Sequence, residues 1–152
     1  MSVKFKDMAR LGHSPQVHQV MTPDPVTVQR DVHLSDVMEL MERRHIQHIP
    51  VMDGTRLVGL LSERNLRDAL PSVLTLQDPV ARRRALAATR ADQVWVEHPV
   101  TVRPSATVLE AIRVMRRLKA GSVPVVDHDR LVGILTSGDL ISLLEHLVDD
   151  GA

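Results

Sequence analysis

The chain repeats itself, and this limits its possible folds more than any other feature. Residues 25–67 align without a gap onto residues 99–141, an offset of 74, and 15 of the 43 aligned pairs are identical. Pro25-Val26-Thr27-Val28 falls on Pro99-Val100-Thr101-Val102. Pro50-Val51 falls on Pro124-Val125, and Arg56-Leu57-Val58-Gly59 on Arg130-Leu131-Val132-Gly133. Paired Pro and Gly residues in a gapless match mark two copies of one structural unit.

Each copy reads as β-α-β-β-α. Val26-Thr27-Val28 is a short β-rich stretch. Leu34, Val37, Met38 and Met41 then follow the i, i+3, i+4, i+7 spacing of a helix face, and Val108, Ala111, Ile112 and Met115 repeat it. Thr107 with Glu110 forms a capping box at the second of these helices. Apolar runs Ile46–Met52 and Leu57–Leu61 are split by the turn pair Asp53-Gly54. In the second copy Asp127-His128-Asp129 splits Val123–Val126 from Leu131–Leu135. A final helix begins at Ser62 or Thr136.

A unit of roughly 50 residues rarely holds a core alone. The expected fold is therefore α+β (or α/β), with two β-α-β-β-α motifs in a pseudo-twofold pair, sheets packed together and helices outside. The expected boundaries are an arm over 1–15, motif 1 over 16–70, a connector over 71–93, motif 2 over 94–148 and a tail over 149–152. Val73, Leu74, Leu76, Val80 and Leu86 anchor the connector, with a short helix expected over Val80–Thr89.

Composition narrows the function. Nineteen basic against nineteen acidic residues give zero formal charge, which argues against a surface built to wrap nucleic acid. Without cysteine there is no disulfide, thiol chemistry or Cys-ligated zinc. No apolar run approaches the ~18 residues of a membrane span, and Lys4, Lys6, Asp7 and Arg10 interrupt the N-terminus where a secretory signal would be apolar. A cytoplasmic protein is the expectation. No Gly-x-Ser-x-Gly elbow, P-loop or HExxH motif is present, so no catalytic residue is assigned and an enzyme is not expected.

The paired motifs resemble a tandem of cystathionine-β-synthase (CBS) domains, a Bateman module. The resemblance rests on Met21-Thr22-Pro23 before Pro25-Val26-Thr27-Val28, on His48-Ile49-Pro50-Val51 with Ser122-Val123-Pro124-Val125, and on Leu57–Ser62 with Leu131–Asp139. It covers about residues 20–148. The second copy departs from the first pattern, reading Trp95-Val96-Glu97. Leu70-Pro71-Ser72-Val73 also looks like the connector of acetoin-utilisation B-type proteins.

The resemblance implies clefts that bind adenosine-containing ligands through Gly-x-x-Thr/Ser-x-x-Asp, here Gly133 to Asp139. In that role Thr136, Ser137 and Gly138 open a helix whose free amides and dipole favour phosphate, and Asp139 accepts bonds from vicinal ribose hydroxyls. Thr-x-x-Asp is equally an ordinary helix cap, and the two roles are compatible. The resemblance also brings Thr22, Val26 and Gln47 to the Asp139 cleft. The first copy reads Ser62-Glu63-Arg64-Asn65, so Asn65 lacks the charge, and Arg64 either contacts a phosphate or blocks the cleft. Unequal sites are expected, the Asp139 cleft being the better one. Trp95 either stacks on a base or packs as a half-buried aromatic.

His45 and His48 fall on opposite faces of a strand-like run, so no metal site is assigned; His48 is a candidate to edge a phosphate. Arg82-Arg83-Arg84 is either a solvated helix face or a contact for a partner or a phosphate. The expected function is a stand-alone regulatory module. It binds AMP, ADP, ATP or S-adenosylmethionine between its motifs, requires no cofactor, forms a homodimer through helices, and signals to an unknown regulated protein. The alternatives are an interaction module with vestigial clefts and a nucleic-acid binder using Arg82–Arg84 and Arg90.

Overall fold

The computed structural model describes residues 14–69 and 78–149. The expected arm (save residues 14 and 15), the connector anchors Val73, Leu74 and Leu76, the Leu70–Val73 stretch and residues 150–152 lie outside the described residues. In chain order the elements are α1 (Val17–Val20), β1 (Thr22–Pro23), β2 (Val28–Gln29), α2 (Leu34–Arg44), β3 (His48–Asp53), β4 (Arg56–Ser62), α3 (Glu63–Ala69), α4 (Pro79–Ala88), a 3-10 turn (Ala91–Gln93), β5 (Val96–Glu97), α5 (Val108–Leu118), β6 (Ser122–Asp127), β7 (Arg130–Thr136) and α6 (Ser137–Asp149). The fold is mixed α+β with two sheets. None of the described helices is long and apolar enough to cross a membrane.

The compact units are not the two repeats taken in order. A central unit comprises Val26–Pro99, and a terminal unit joins the residues up to Pro25 with those from Val100 onward. The central sheet runs β2-β3-β4-β5. β2 is parallel to β3, and the other pairs are antiparallel. The terminal sheet runs β1-β7-β6, and Val102 bridges Val125 in parallel where β2 meets β3 in the other sheet. β1 and β5 are themselves equivalent positions 74 apart. Thr22 and Pro23 register with Ile134 and Gly133, as Val96 and Glu97 register with Leu60 and Gly59. Each sheet is thus closed by the segment that leads into the other repeat.

Helix starts follow the same exchange. The Leu34 amide donates to the Thr89 carbonyl at 2.9 Å, and the Val108 amide to the Pro15 carbonyl at 2.7 Å. His33 at the N-cap of α2 makes no side-chain cap, so this backbone bond supplies a partner for one amide of the first turn. α5 has in addition the expected Thr107–Glu110 box. Both helices end on a left-handed residue, His45 or Lys119, whose amide turns back to Met41 or Met115.

Two hydrophobic clusters result. Leu34, Val37, Met41, Ile49, Val51, Leu61 and Leu66 lie at the centre of one, and Leu86 of α4 joins it. Val17, Ala111, Met115, Val123, Val125 and Leu135 form the other. The connector helix forms one residue earlier than expected because Asp78 caps it and Pro79 suits its first position. Ser62 and Thr136 end strands and cap the helices that follow, which therefore begin at Glu63 and Ser137. The expected Val26–Val28 strand shrinks to Val28–Gln29. Asp24, and His98 in the second copy, take positive φ just before the prolines, so only the end of each segment runs beside the sheet.

The exchanged segments press side chains onto glycines. A Cβ on Gly59 would overlap the Trp95 indole, 2.6 Å from its Cδ2, and one on Gly133 would overlap the Met21 thioether. A rigid indole cannot yield, whereas a thioether can swing aside. Gly59→Ala should cost about 1–3 kcal/mol and Gly133→Ala clearly less. Urea unfolding followed through the single tryptophan checks the contrast; equal costs would refute it.

His48, half-buried at the start of β3, is held below its ordinary pKa of 6.5 by burial, with the Glu63 carboxylate pulling the other way. The folded chain therefore binds this proton less readily than the unfolded chain. Stability should be highest above about pH 6.5 and fall as pH drops below it. His48→Gln should flatten that part of the slope in urea melts between about pH 5.5 and 7.5.

Candidate functional site

In the terminal unit, α6 leaves the end of β7 at Thr136. The Thr136 amide donates to Asp139 Oδ2 at 3.0 Å, and the Asp139 amide donates to Thr136 Oγ1 at 3.2 Å. This is a reciprocal capping box, which fixes the Asp139 rotamer. From edge strand β1, Thr22 Oγ1 donates to Asp139 Oδ1 at 3.0 Å. The partners are 117 positions apart and meet because β1 is registered on β7 at Thr22 and Ile134. A carboxylate has about four acceptor positions, and these two bonds leave capacity for further donors. Among the described residues no Lys or Arg forms an ion pair with Asp139. A small depression of about 150 Å³ lies beside it, bordered also by Gln19, Val20 and Ser142.

The free amides expected at this helix start are largely spoken for. Thr136 and Asp139 use theirs in the box, and the Ser137 amide donates to the Gly121 carbonyl at 2.9 Å. Anion binding at the first turn therefore rests on the dipole and Gly138 more than on a row of open donors. A Cβ on Gly138 would meet nothing closer than Thr136 Oγ1 at 3.5 Å. Packing does not require that glycine; it keeps the helix start uncovered.

The central unit builds the same box with a side-chain amide in place of the carboxylate. Asn65 Oδ1 accepts from the Ser62 amide at 2.9 Å and from Ser62 Oγ at 2.8 Å, while the Asn65 amide donates to Ser62 Oγ at 3.1 Å. Two donors on one oxygen fix the side-chain amide, so its NH2 is what remains for any visitor. Asp139 offers acceptors, whereas Asn65 offers donors. Val96 replaces Thr22 at the equivalent edge position, so the edge strand offers Asn65 no hydroxyl.

Thr22, Thr136, Ser137, Gly138 and Asp139 come together in the terminal unit. Val26 and Gln47, expected beside Asp139, belong to the central unit with Ser62, Asn65 and Trp95. Gln47 accepts the Glu63 amide through its carbonyl at 2.9 Å. The Trp95 indole lies on Gly59, and the Arg30 guanidinium is 5.5 Å from the ring centroid. Arg30 is itself paired with Asp53 at 3.5 Å and Asp92 at 3.7 Å. Arg64 reaches Asp68 at 3.9 Å along its own helix. Among the described residues no cluster of His, Asp and Glu suits a metal ion.

Sequence reasoning passed over Ser122. It registers with Thr136, is only 4% exposed, and its Oγ has no hydrogen-bond partner. An orphaned buried hydroxyl is costly, and here it is next to the Thr136–Asp139 box. Its equivalence to His48 was the available clue.

Comparison with known proteins places this geometry. The CBS domain pattern matches residues 17–72 and 96–146. A CBS domain-containing protein of Dictyostelium discoideum is 30% identical over 84% of this chain and 90% of its own length. A homoserine O-acetyltransferase of Methanohalobium evestigatum is 24% identical over 89% of this chain, which spans only 25% of that enzyme. Among solved structures, an acetoin utilization protein (AcuB) from Vibrio cholerae superposes with a TM-score of 0.71 at 31% identity, covering 90% of this chain and 94% of that one. CBSX2, solved in complex with AMP, superposes at 0.69 with 24% identity, over 88% of this chain and 98% of its own. With both repeats matched and the lead-in strands exchanged between two like sheets, the chain belongs to the CBS domain family as a tandem CBS pair.

Proposed function

We propose that this CBS pair is a regulatory binding module, not an enzyme, which takes an adenosine-containing ligand at Asp139 and reports its presence to a partner protein by a conformational change. The observation that carries the reading is the Asp139 carboxylate. Thr22 and the Thr136 amide hold it in place, and it keeps acceptor capacity for a pair of vicinal hydroxyls. Such bonds to a charged acceptor contribute about 1.5–3 kcal/mol each. The partnerless Ser122 hydroxyl beside the same box is a further donor in search of an acceptor. The fold is compatible, since CBSX2 carries AMP on it; at 24% identity the ligand class rests on this chain's own residues. A ligand that binds one conformation better than another shifts the population by that difference, which is all a sensor needs.

The site at Asn65 is the weaker of the two for a ribose, because a side-chain NH2 cannot accept from hydroxyls. The self-satisfied caps at both helices favour a second reading, a protein-interaction module that binds no nucleotide. A homodimer is the proposed assembly.

Thermal unfolding with AMP, ADP, ATP, S-adenosylmethionine and NAD separates the readings. A ligand at about 100 times its Kd adds about 2.7 kcal/mol and raises the midpoint by several degrees. Asp139→Asn preserves a capping oxygen and should weaken the response at least about tenfold, as should a 2′-deoxyribose ligand. A flat response to all five compounds from a folded chain would sink the nucleotide reading. Asn65→Asp should in turn create or strengthen a second binding event in calorimetry.

A further inference from the structure

A larger cavity, about 370 Å³, lies in the central unit. It is walled by the C-terminal half of α2, the residues leading into β3, the start of α3 and the connector helix α4. Met38, Met41 and Leu66 give it an apolar floor, while Glu42, Glu63 and Arg82 reach it with charge. The volume falls in the ordinary range of small-molecule sites.

Arg82 is the unexplained group. Its Nε is buried without a hydrogen-bond partner, and its Nη2 has only the Met38 sulfur at 3.8 Å, a weak acceptor. Among the described residues no carboxylate lies within ion-pair distance of it. Among the described residues Glu42 has no ion pair either, and Glu63 has only its exposed helical neighbour Arg67 at 3.5 Å. An Nε–H shut off from water without an acceptor is a cost the fold has no packing reason to accept. The repeat does not impose this set. At the 74-residue offset, Glu42 and Glu63 correspond to Arg116 and Ser137, and Arg82 to Met8.

From this we infer that the cavity is a second ligand site, for a free α-amino acid with an apolar side chain. Its carboxylate pairs with the Arg82 guanidinium, which suits a two-oxygen acceptor. Its ammonium lies towards Glu42 and Glu63, and its side chain rests on Met38, Met41 and Leu66. Two glutamates at the rim oppose phosphates and other polyanions. The methionine floor accommodates several apolar shapes, so leucine and methionine side chains both fit.

The test is amide NMR of the full chain titrated with L-leucine or L-methionine. Saturable shifts are expected at residues 38–47, 63–66 and 82. Isoamylamine, which lacks the carboxylate, and 4-methyl-2-oxopentanoate, which lacks the ammonium, should bind at least about tenfold more weakly. Arg82→Met should weaken L-leucine about tenfold or more without changing the response to AMP; Asp139→Asn should do the reverse, so the two sites fail independently. Glu42→Gln, an exposed change that cannot unfold the core, should also weaken L-leucine. No shifts at these residues up to about 10 mM amino acid, AMP shifts there in place of amino-acid shifts, or binding unchanged in both variants would each overturn the assignment.

Discussion

The structure depends on the reciprocal exchange of two lead-in segments. Neither repeat closes its own sheet. β1 precedes the first repeat yet pairs with β7, and β5 precedes the second yet pairs with β4. The same segments supply carbonyls to the first turns of α2 and α5 and place Met21 and Trp95 on the glycines of the sheets they complete. An unpaired sheet edge and an unpaired helix start both carry a polar cost. The exchange removes the two together, at equivalent places in each unit. It also explains why a hydroxyl and a carboxylate 117 positions apart share a hydrogen bond: Thr22 is in the exchanged strand, and Asp139 follows the strand that receives it.

On this common scaffold the chemistry has diverged at matched positions. Thr22 faces Val96, Asp139 faces Asn65, Ser122 faces His48 and Met21 faces Trp95 across the offset. The terminal unit gathers acceptors and hydroxyls around one helix start. The central unit replaces the acceptor with a donor, adds a half-buried imidazole whose pKa burial lowers, and leaves a guanidinium Nε unmatched beside a cavity. Backbone geometry is shared where packing demands it. The side chains around each helix start are free to differ, which is how one fold can present two different sets of groups.

Much of this was legible in the sequence. The offset of 74, the helix faces, the Thr107–Glu110 box and the Thr136-x-x-Asp139 box follow from local spacing, and the α+β class from their order. Local spacing cannot show which amides tertiary contacts will consume. Nothing near Ser137 says that its N–H goes to Gly121, and that bond removes a donor expected for phosphate. The glycine partners were hidden for the same reason: Gly59 and Trp95 are far apart in the chain, and only the register of β5 on β4 brings them into contact. His45 and Lys119 give no sign of a left-handed helix end, since glycine is the residue that usually announces one. Arg82 looked like part of a solvated basic run, and Arg83 and Arg84 are exposed as that reading requires. Only the fold separates Arg82 from its neighbours.

Capping and ligand reading are often set against each other at a Thr-x-x-Asp start, but on the proposed function they cooperate. A carboxylate waiting alone for two ribose hydroxyls would sample several rotamers and lose that freedom on binding. The box at Thr136 fixes the rotamer beforehand through one oxygen, and Thr22 fixes it through the other. Each oxygen spends one lone pair on the protein and keeps one. The entropy of ordering the group is thus lost in folding, where the helix start needs its cap anyway, and the ligand meets an acceptor pair already in place. A self-satisfied cap is therefore compatible with a binding site. What separates the two ends is the group left over after capping, and that leftover is an acceptor at Asp139 and a donor at Asn65.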